Sequence, residues 1–304
     1  MTITEERPPS PQTVTFEAIL PPAMAQRAEE SGVKRAALDP LNVFVLSLLG
    51  GAFISFGAIF ATTVSAGTSL ISGGGLAGAV SVPYGITRLL SGLVFSTGLL
   101  TIIIAGAELF TGNNLIVMAW ASGKVKLRAV LLNWVIVLCG NIIGAVATAV
   151  LAFSTTQYTF GGGGVGLTAL ATAQAKAALP FGPAFALGIM CNALVCIAVW
   201  MCFSARMNID RAVAAIPPIA AFAAAGFEHC IANAYFIPVG LLIKAKAPDS
   251  FWTMIGKTPA DYPDLTLANF VHNMIPVTLG NAFGGSIMVA AVYWFVYLRA
   301  KPNI

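Results

Sequence analysis

Apolar residues gather into six long stretches, at residues 41–64, 89–120, 130–153, 181–203, 213–242 and 275–298, separated by shorter polar segments. A helix needs about 20 predominantly apolar residues to cross a bilayer, so the pattern predicts six transmembrane helices. The second and fifth stretches are longer than one span requires, and each has a polar centre. These centres are Glu108-Leu109-Phe110-Thr111-Gly112-Asn113-Asn114 and Glu228-His229-Cys230-Ile231-Ala232-Asn233. Such a stretch reads as a helix broken at membrane depth, where irregular backbone survives only if protein or a cavity surrounds it.

The two breaks resemble each other. Ala-Gly-x-Glu-x4-Asn runs from Ala105 to Asn113 and recurs from Ala225 to Asn233, 120 residues later. In the span after each break, Gly140-Asn141-Ile142-Ile143-Gly144 recurs as Gly280-Asn281-Ala282-Phe283-Gly284. Residues 40–153 and 181–298 are therefore expected to be structural repeats of three spans each. An odd number of spans inverts the second copy, which places a solute site near the midplane between the repeats. The expected fold is all-α: a polytopic, six-helix inverted repeat (3+3) with its second and fifth helices broken. The six-span domain would occupy residues 41–298, between an N-terminal segment (1–40) and a short C-terminal tail (299–304).

In the N-terminal segment Pro21-Pro22 suits a first helical turn, predicting a short helix at 23–31 that Gly32 closes. Phe16, Ile19, Leu20 and Met24 supply apolar anchors. The segment reads as a membrane-surface or subunit-packing helix, or as a gate or docking site for a cytoplasmic protein partner.

Composition agrees with a bilayer as solvent. Of 304 residues 58% are apolar and 9% charged, with a mean hydropathy of +0.85; soluble domains carry roughly 25% charged residues. A net charge of +4 implies no basic surface for nucleic acid. Eleven basic residues, among them Arg35, Lys124 and Arg206, fall on one side of the predicted spans and five on the other: Arg88, Lys176, Lys244, Lys246 and Lys257. The positive-inside rule then puts both termini in the cytoplasm. No signal peptide is visible before the first span.

Ionisable residues are costly inside spans, about 2.5–3.5 kcal/mol each at the centre on insertion scales. Three fall there, Glu108, Glu228 and His229, all at the breaks. The duplicated glutamates are expected to act as scaffold, accepting hydrogen bonds from the backbone N–H groups that open the next half-helix. His229 faces Leu109 in the other repeat, so repair of the backbone does not require it; it can hold or deliver a proton. His272 is placed in the last loop, without a role. Thr111, Asn192 and Asn281 add neutral polar groups, and Phe95, Leu99, Leu109, Phe110, Val195 and Phe222 could form apolar collars. The glycine runs at 73–75 and 161–164 lack a following Gly-Lys-Ser/Thr and read as loops. The five cysteines lie in apolar spans without Cys-x-x-Cys spacing and read as packing residues, so no metal or cofactor is expected.

Several ordered segments resemble the formate/nitrite transporter family: Ala107-Glu108-Leu109-Phe110-Thr111, Gly226-Phe227-Glu228-His229 with Ile231-Ala232-Asn233, and Ile275-Pro276-Val277-Thr278-Leu279-Gly280-Asn281. The likeness extends from Leu20-Pro21-Pro22-Ala23-Met24-Ala25 to Tyr293-Trp294, and within the family it points to bacterial formate channels of enteric type. Glu108 departs from the Asp of those relatives, and Cys230 from their Ser. The resemblance implies an aquaporin-like six-helix protomer with its own pore, assembled as a homopentamer in the bacterial inner membrane and surrounded by lipid. It implies that His229 is the central pore histidine and Thr111 its hydrogen-bonding partner. Asn192 and Asn281 would line the pore, Lys176 would attract anions on the periplasmic side, and the six apolar residues would form constrictions. The solute would be formate or nitrite, crossing passively or with a proton, in a pH-dependent manner. A neutral-solute channel of the aquaporin kind remains an alternative, although no Asn-Pro-Ala occurs at either break; a membrane enzyme or redox protein is the other.

Overall fold

The computed structural model describes residues 17–66 and 82–299; Phe16, the glycine run at 73–75 and the tail beyond Arg299 lie outside them. The described regular structure is helical throughout, with no strand among those residues. Helix α1 (Pro21–Ala36) precedes three elements of the first half: α2 (Pro40–Ser65), α3 (Tyr84–Ala105) and α4 (Leu127–Ser154). Helix α5 (Gly164–Ala177) precedes the second half: α6 (Phe181–Cys202), α7 (Asn208–Ala225), α8 (Cys230–Lys246) and α9 (Leu267–Phe283). The last continues through a π-helical stretch, Gly284–Ala291, into Val292–Tyr297.

Among the described residues α2, α3, α4, α6 and the continuous Leu267–Tyr297 are long and apolar enough to cross a membrane, and α7 with α8, bent by 49° at the break, is long and apolar enough for a sixth when the pair is taken as one span. The chain is a multi-pass membrane protein. Both α3 and α7 end on a left-handed glycine, Gly106 (φ 84°) and Gly226 (φ 80°), a conformation that costs glycine little and stops a helix. Beyond Gly106 the chain resumes only in short turns, Phe110–Asn113, Asn114–Ile116 and Val117–Ala121. Beyond Gly226 it re-forms a 17-residue helix.

Packing repeats between the halves. Helix α2 lies against α3 and α4, as α6 lies against α7 and α9, and α3 meets α7 across the middle. Lipid offers no hydrophobic drive between helices, so they associate through close backbone approach at small residues. A Cβ on Gly144 would stand 2.1 Å from the Leu48 carbonyl oxygen, and one on Gly284 2.2 Å from that of Ile189. The recurring Gly-Asn-x-x-Gly thus brings two helices into backbone contact with an asparagine between them.

Four expectations change. Helix α1 runs on to Ala36, because Gly32 is an interior position where the helix rests on Ile116 and Ala119. Helix α5 was not anticipated: Gly161, Gly162 and Gly163 have left-handed backbone, but Gly164 opens a helix whose Ala-rich sequence has high helical propensity. The last span starts at Leu267, so His272 is an exposed residue of α9 and not of a loop. The last span also holds the π-helical stretch, which apolar periodicity does not reveal.

Gly144→Ala should lower stability by about 1–3 kcal/mol through overpacking, whereas Gly85→Ala, with nothing within 4 Å of the added Cβ, should be neutral. Thermal unfolding of the two variants in one detergent checks this.

Candidate functional site

A break in a membrane helix exposes peptide groups that lipid cannot satisfy. Asn141 of α4 repairs the first: its Oδ1 accepts the Phe110 N–H (2.9 Å), and its Nδ2 donates to the carbonyls of Ser47 (2.7 Å) and Glu108 (2.9 Å). Asn281 of α9 repairs the second in the same way. Its Oδ1 accepts the Cys230 N–H (2.9 Å), and its Nδ2 donates to Gly188 (2.8 Å) and Glu228 (2.9 Å). The glutamates, expected to accept these N–H groups, do not. The Asn281 amide is wholly buried, with both its donors and its oxygen engaged by the backbone.

The glutamates hold charge pairs instead. Glu108 accepts from Asn113 Nδ2 (2.5 Å) and pairs with Arg35 of α1 (3.2 Å), which also donates to Asn113 Oδ1. Glu228 accepts from Asn233 Nδ2 (2.6 Å) and pairs with Lys176 of α5 (2.7 Å). A second asparagine backs each set: Asn113 donates to Asn133 (2.9 Å), and Asn233 to Asn273 (2.8 Å). Lys176 is thus the part-buried counter-ion of a buried carboxylate.

Leu109 and His229 occupy matching extended positions, at φ −129° and −114°, before their respective half-helices. His229 Nδ1 accepts the Ala232 N–H (3.2 Å), so in the neutral ring the proton sits on Nε2, which donates to Thr111 Oγ1 (3.1 Å). The imidazole stacks on Phe222 at 6.0 Å, and Phe222 meets Phe95 edge-on at 5.6 Å.

Above this aromatic pair opens a cavity of about 100 Å³ whose wall includes Lys176, Arg88, Phe95, Phe222, His229, Thr168 and Thr172. It is far below the roughly 300–1,000 Å³ of sites for drug-sized ligands, so it suits a solute of a few heavy atoms. Of the residues singled out in the sequence, Lys176, His229, Phe95 and Phe222 meet here, with Thr111 one hydrogen bond behind. Leu99, Leu109, Phe110 and Val195 are buried in the core but do not line this cavity. Asn192 lies deeper, donating to Asn114 Oδ1 (2.8 Å) and to the Asn281 carbonyl (2.6 Å). Among the described residues no group of three or more His, Cys, Asp or Glu side chains is placed to hold a metal ion.

Arg35, Asn133, Asn273 and Arg88 went unnoticed as site residues in the sequence. Asn133 carried a signal, as an amide inside an apolar span; Asn273 precedes the last apolar stretch, and the two arginines read only as topology charges.

The family model described as formate/nitrite transporter matches residues 22–295. The chain belongs to the formate/nitrite transporter family. Family relatives include the formate channel FocA of Escherichia coli (strain K12), 41% identical over 95% of this chain and 98% of its own. FocA of Haemophilus influenzae is 38% identical over 91% of this chain and 94% of its own. A solved pentameric formate channel with formate bound superposes with a TM-score of 0.77 at 44% identity, covering 86% of this chain and 98% of its own. A solved FNT family ion channel gives 0.71 at 26% identity, covering 90% and 98%.

Removing either scaffold element should be costly. Asn281→Leu strands one N–H and two carbonyls and should destabilise by about 2–4 kcal/mol. Glu228→Gln leaves the part-buried Lys176 ammonium without its carboxylate, a loss of about 1–3 kcal/mol, which Lys176→Met in the same chain should partly restore. A double-mutant cycle on thermal unfolding reads both.

Proposed function

We propose that this chain is a pH-dependent channel for small monovalent anions, formate foremost, with its own pore in each protomer of a homopentamer in the bacterial inner membrane. The carrying observation is the cavity that bears Lys176 and ends at the Phe95–Phe222 pair and the His229–Thr111 hydrogen bond. Formate channels at 41% and 38% identity and the pentameric structure with formate bound support the choice of solute and assembly.

A bare carboxylate between the two phenylalanines would lose its water without replacement, a cost that normally drives an ionisable group to neutralise. Lys176 spends one of its three N–H groups on Glu228, and the others can face an arriving anion. The anion then reaches His229, whose Nε2–H and the adjacent Thr111 hydroxyl supply hydrogen bonds. A proton comes only from the imidazolium, which the ring forms by taking one up from water in the cavity, so that giving it to the anion returns the neutral imidazole. It passes the collar as the neutral acid or as a paired anion. Leu99, Leu109, Phe110 and Val195 continue the apolar path on the far side of the break. The positive-inside count supports a cytoplasmic side for α1 and both termini and a periplasmic side for the cavity with Lys176.

Formate flux into proteoliposomes should rise as pH falls, and His229→Asn should flatten that profile and lower the flux at acid pH by about tenfold or more. An unchanged profile in His229→Asn would exclude the histidine from proton transfer.

A further inference from the structure

We propose that Arg88 is a positioning residue that sets the width of the Phe95–Phe222 constriction, and with it the size limit on the permeating solute; the choice of solutes rests on the channel reading above. Arg88 sits in the first turns of α3, half-buried at the cavity wall. Its Nε donates to the Ala224 carbonyl (2.9 Å) and its Nη2 to the Ala223 carbonyl (2.6 Å). These belong to the last turn of α7, where carbonyls lack the usual partner four residues on within the helix and carry the negative end of its dipole; the Ala223 carbonyl also accepts the Gly226 N–H (3.2 Å). The planar guanidinium fork spans both at once.

The tie lies beside the constriction. Phe222 immediately precedes Ala223, and Phe95 stands two helical turns beyond Arg88 on the same face of α3, about 10 Å along the axis. Helices α3 and α7 run antiparallel, with contacts in regular order. Ser96 Oγ reaches the Ile216 carbonyl (3.4 Å), Gly92 abuts the Ala220 carbonyl, and Arg88 holds Ala223 and Ala224. The arginine is thus the outermost contact of the series. It secures the turn that carries Phe222 just before Gly226 releases the chain toward Glu228 and His229. Without it, that turn is held to α3 only from Gly92 inward, and Phe222, on which the His229 ring stacks, is free to retreat from Phe95.

A role as an attracting charge makes a different prediction. Loss of charge slows formate and acetate alike and leaves uncharged solutes untouched. A wider collar instead favours the larger member of any pair. The experiment measures acetate-to-formate flux and acetamide-to-formamide permeability in proteoliposomes carrying the wild type, Arg88→Met or Arg88→Lys. Discrimination by one methyl group in a tight apolar site is worth about 10-fold or more, so Arg88→Met should raise the acetate-to-formate ratio by about 3- to 10-fold and shift the amide ratio in the same direction. Lysine, able to hold one carbonyl where arginine holds two, should fall between, with a rise of about twofold. An assembled Arg88→Met protein with both ratios unchanged overturns the proposal, even if the two anion fluxes fall together. Should Arg88→Met fail to assemble, Arg88→Lys decides, and no shift there overturns it. A wild type that carries no formate while Arg88→Met still shifts the amide ratio would sink the formate reading and leave the role of Arg88 standing.

Discussion

A peptide group inside a bilayer must find its hydrogen bond within the protein, and the architecture here follows from meeting that demand at two broken helices. Asn141 and Asn281 do so with a single amide each, accepting the N–H that opens one half-helix while donating to two carbonyls. The carbonyls belong to both sides of the problem, the break itself and the neighbouring helix. The glycines beside each asparagine follow from the same need: an amide reaches a neighbouring backbone only if the helices touch, and Gly144 and Gly284 make that contact possible.

With the backbone repaired, the carboxylates are free to hold charge. Each accepts from an asparagine five residues on and from a cation on the helix that precedes its half, Arg35 on α1 or Lys176 on α5. Burying an ion pair is expensive unless the remaining acceptor positions are filled, and the paired asparagines fill them. These helices are thereby tied to the breaks by electrostatics as well as by packing.

The scaffold is built twice and the chemistry once. At matching extended positions the first break has Leu109 and the second His229, and Thr111 from the first break supplies the partner of the histidine ring. The two half-sites therefore make one asymmetric centre, with a titratable group contributed by one half and a hydroxyl by the other. Helices α3 and α7, which end at the two breaks, bring the aromatic collar to the same point.

The sequence determined a good deal alone. Apolar length counted the spans, the polar centres marked the two breaks, and the recurring Ala-Gly-x-Glu-x4-Asn and Gly-Asn-x-x-Gly identified where equivalent repairs were needed. It also singled out His229 as the ionisable residue without a duplicate. These are local signals, written as period, length or cost of burial within one segment. The partners of those residues were not legible in the same way. Glu108 and Arg35 are 73 residues apart, Glu228 and Lys176 are 52 apart, and Arg88 meets Ala223 across 135. Arg35 and Arg88 looked like ordinary charges near span ends, and Lys176 like a surface charge for attracting anions, because a lysine or arginine near a membrane surface costs little and needs no partner. Only the packing of α1, α3 and α5 against the breaks turned those charges inward. Tertiary structure likewise moved the backbone repair from the glutamates to the asparagines, since an amide can donate and accept at once and an ionised carboxylate can only accept.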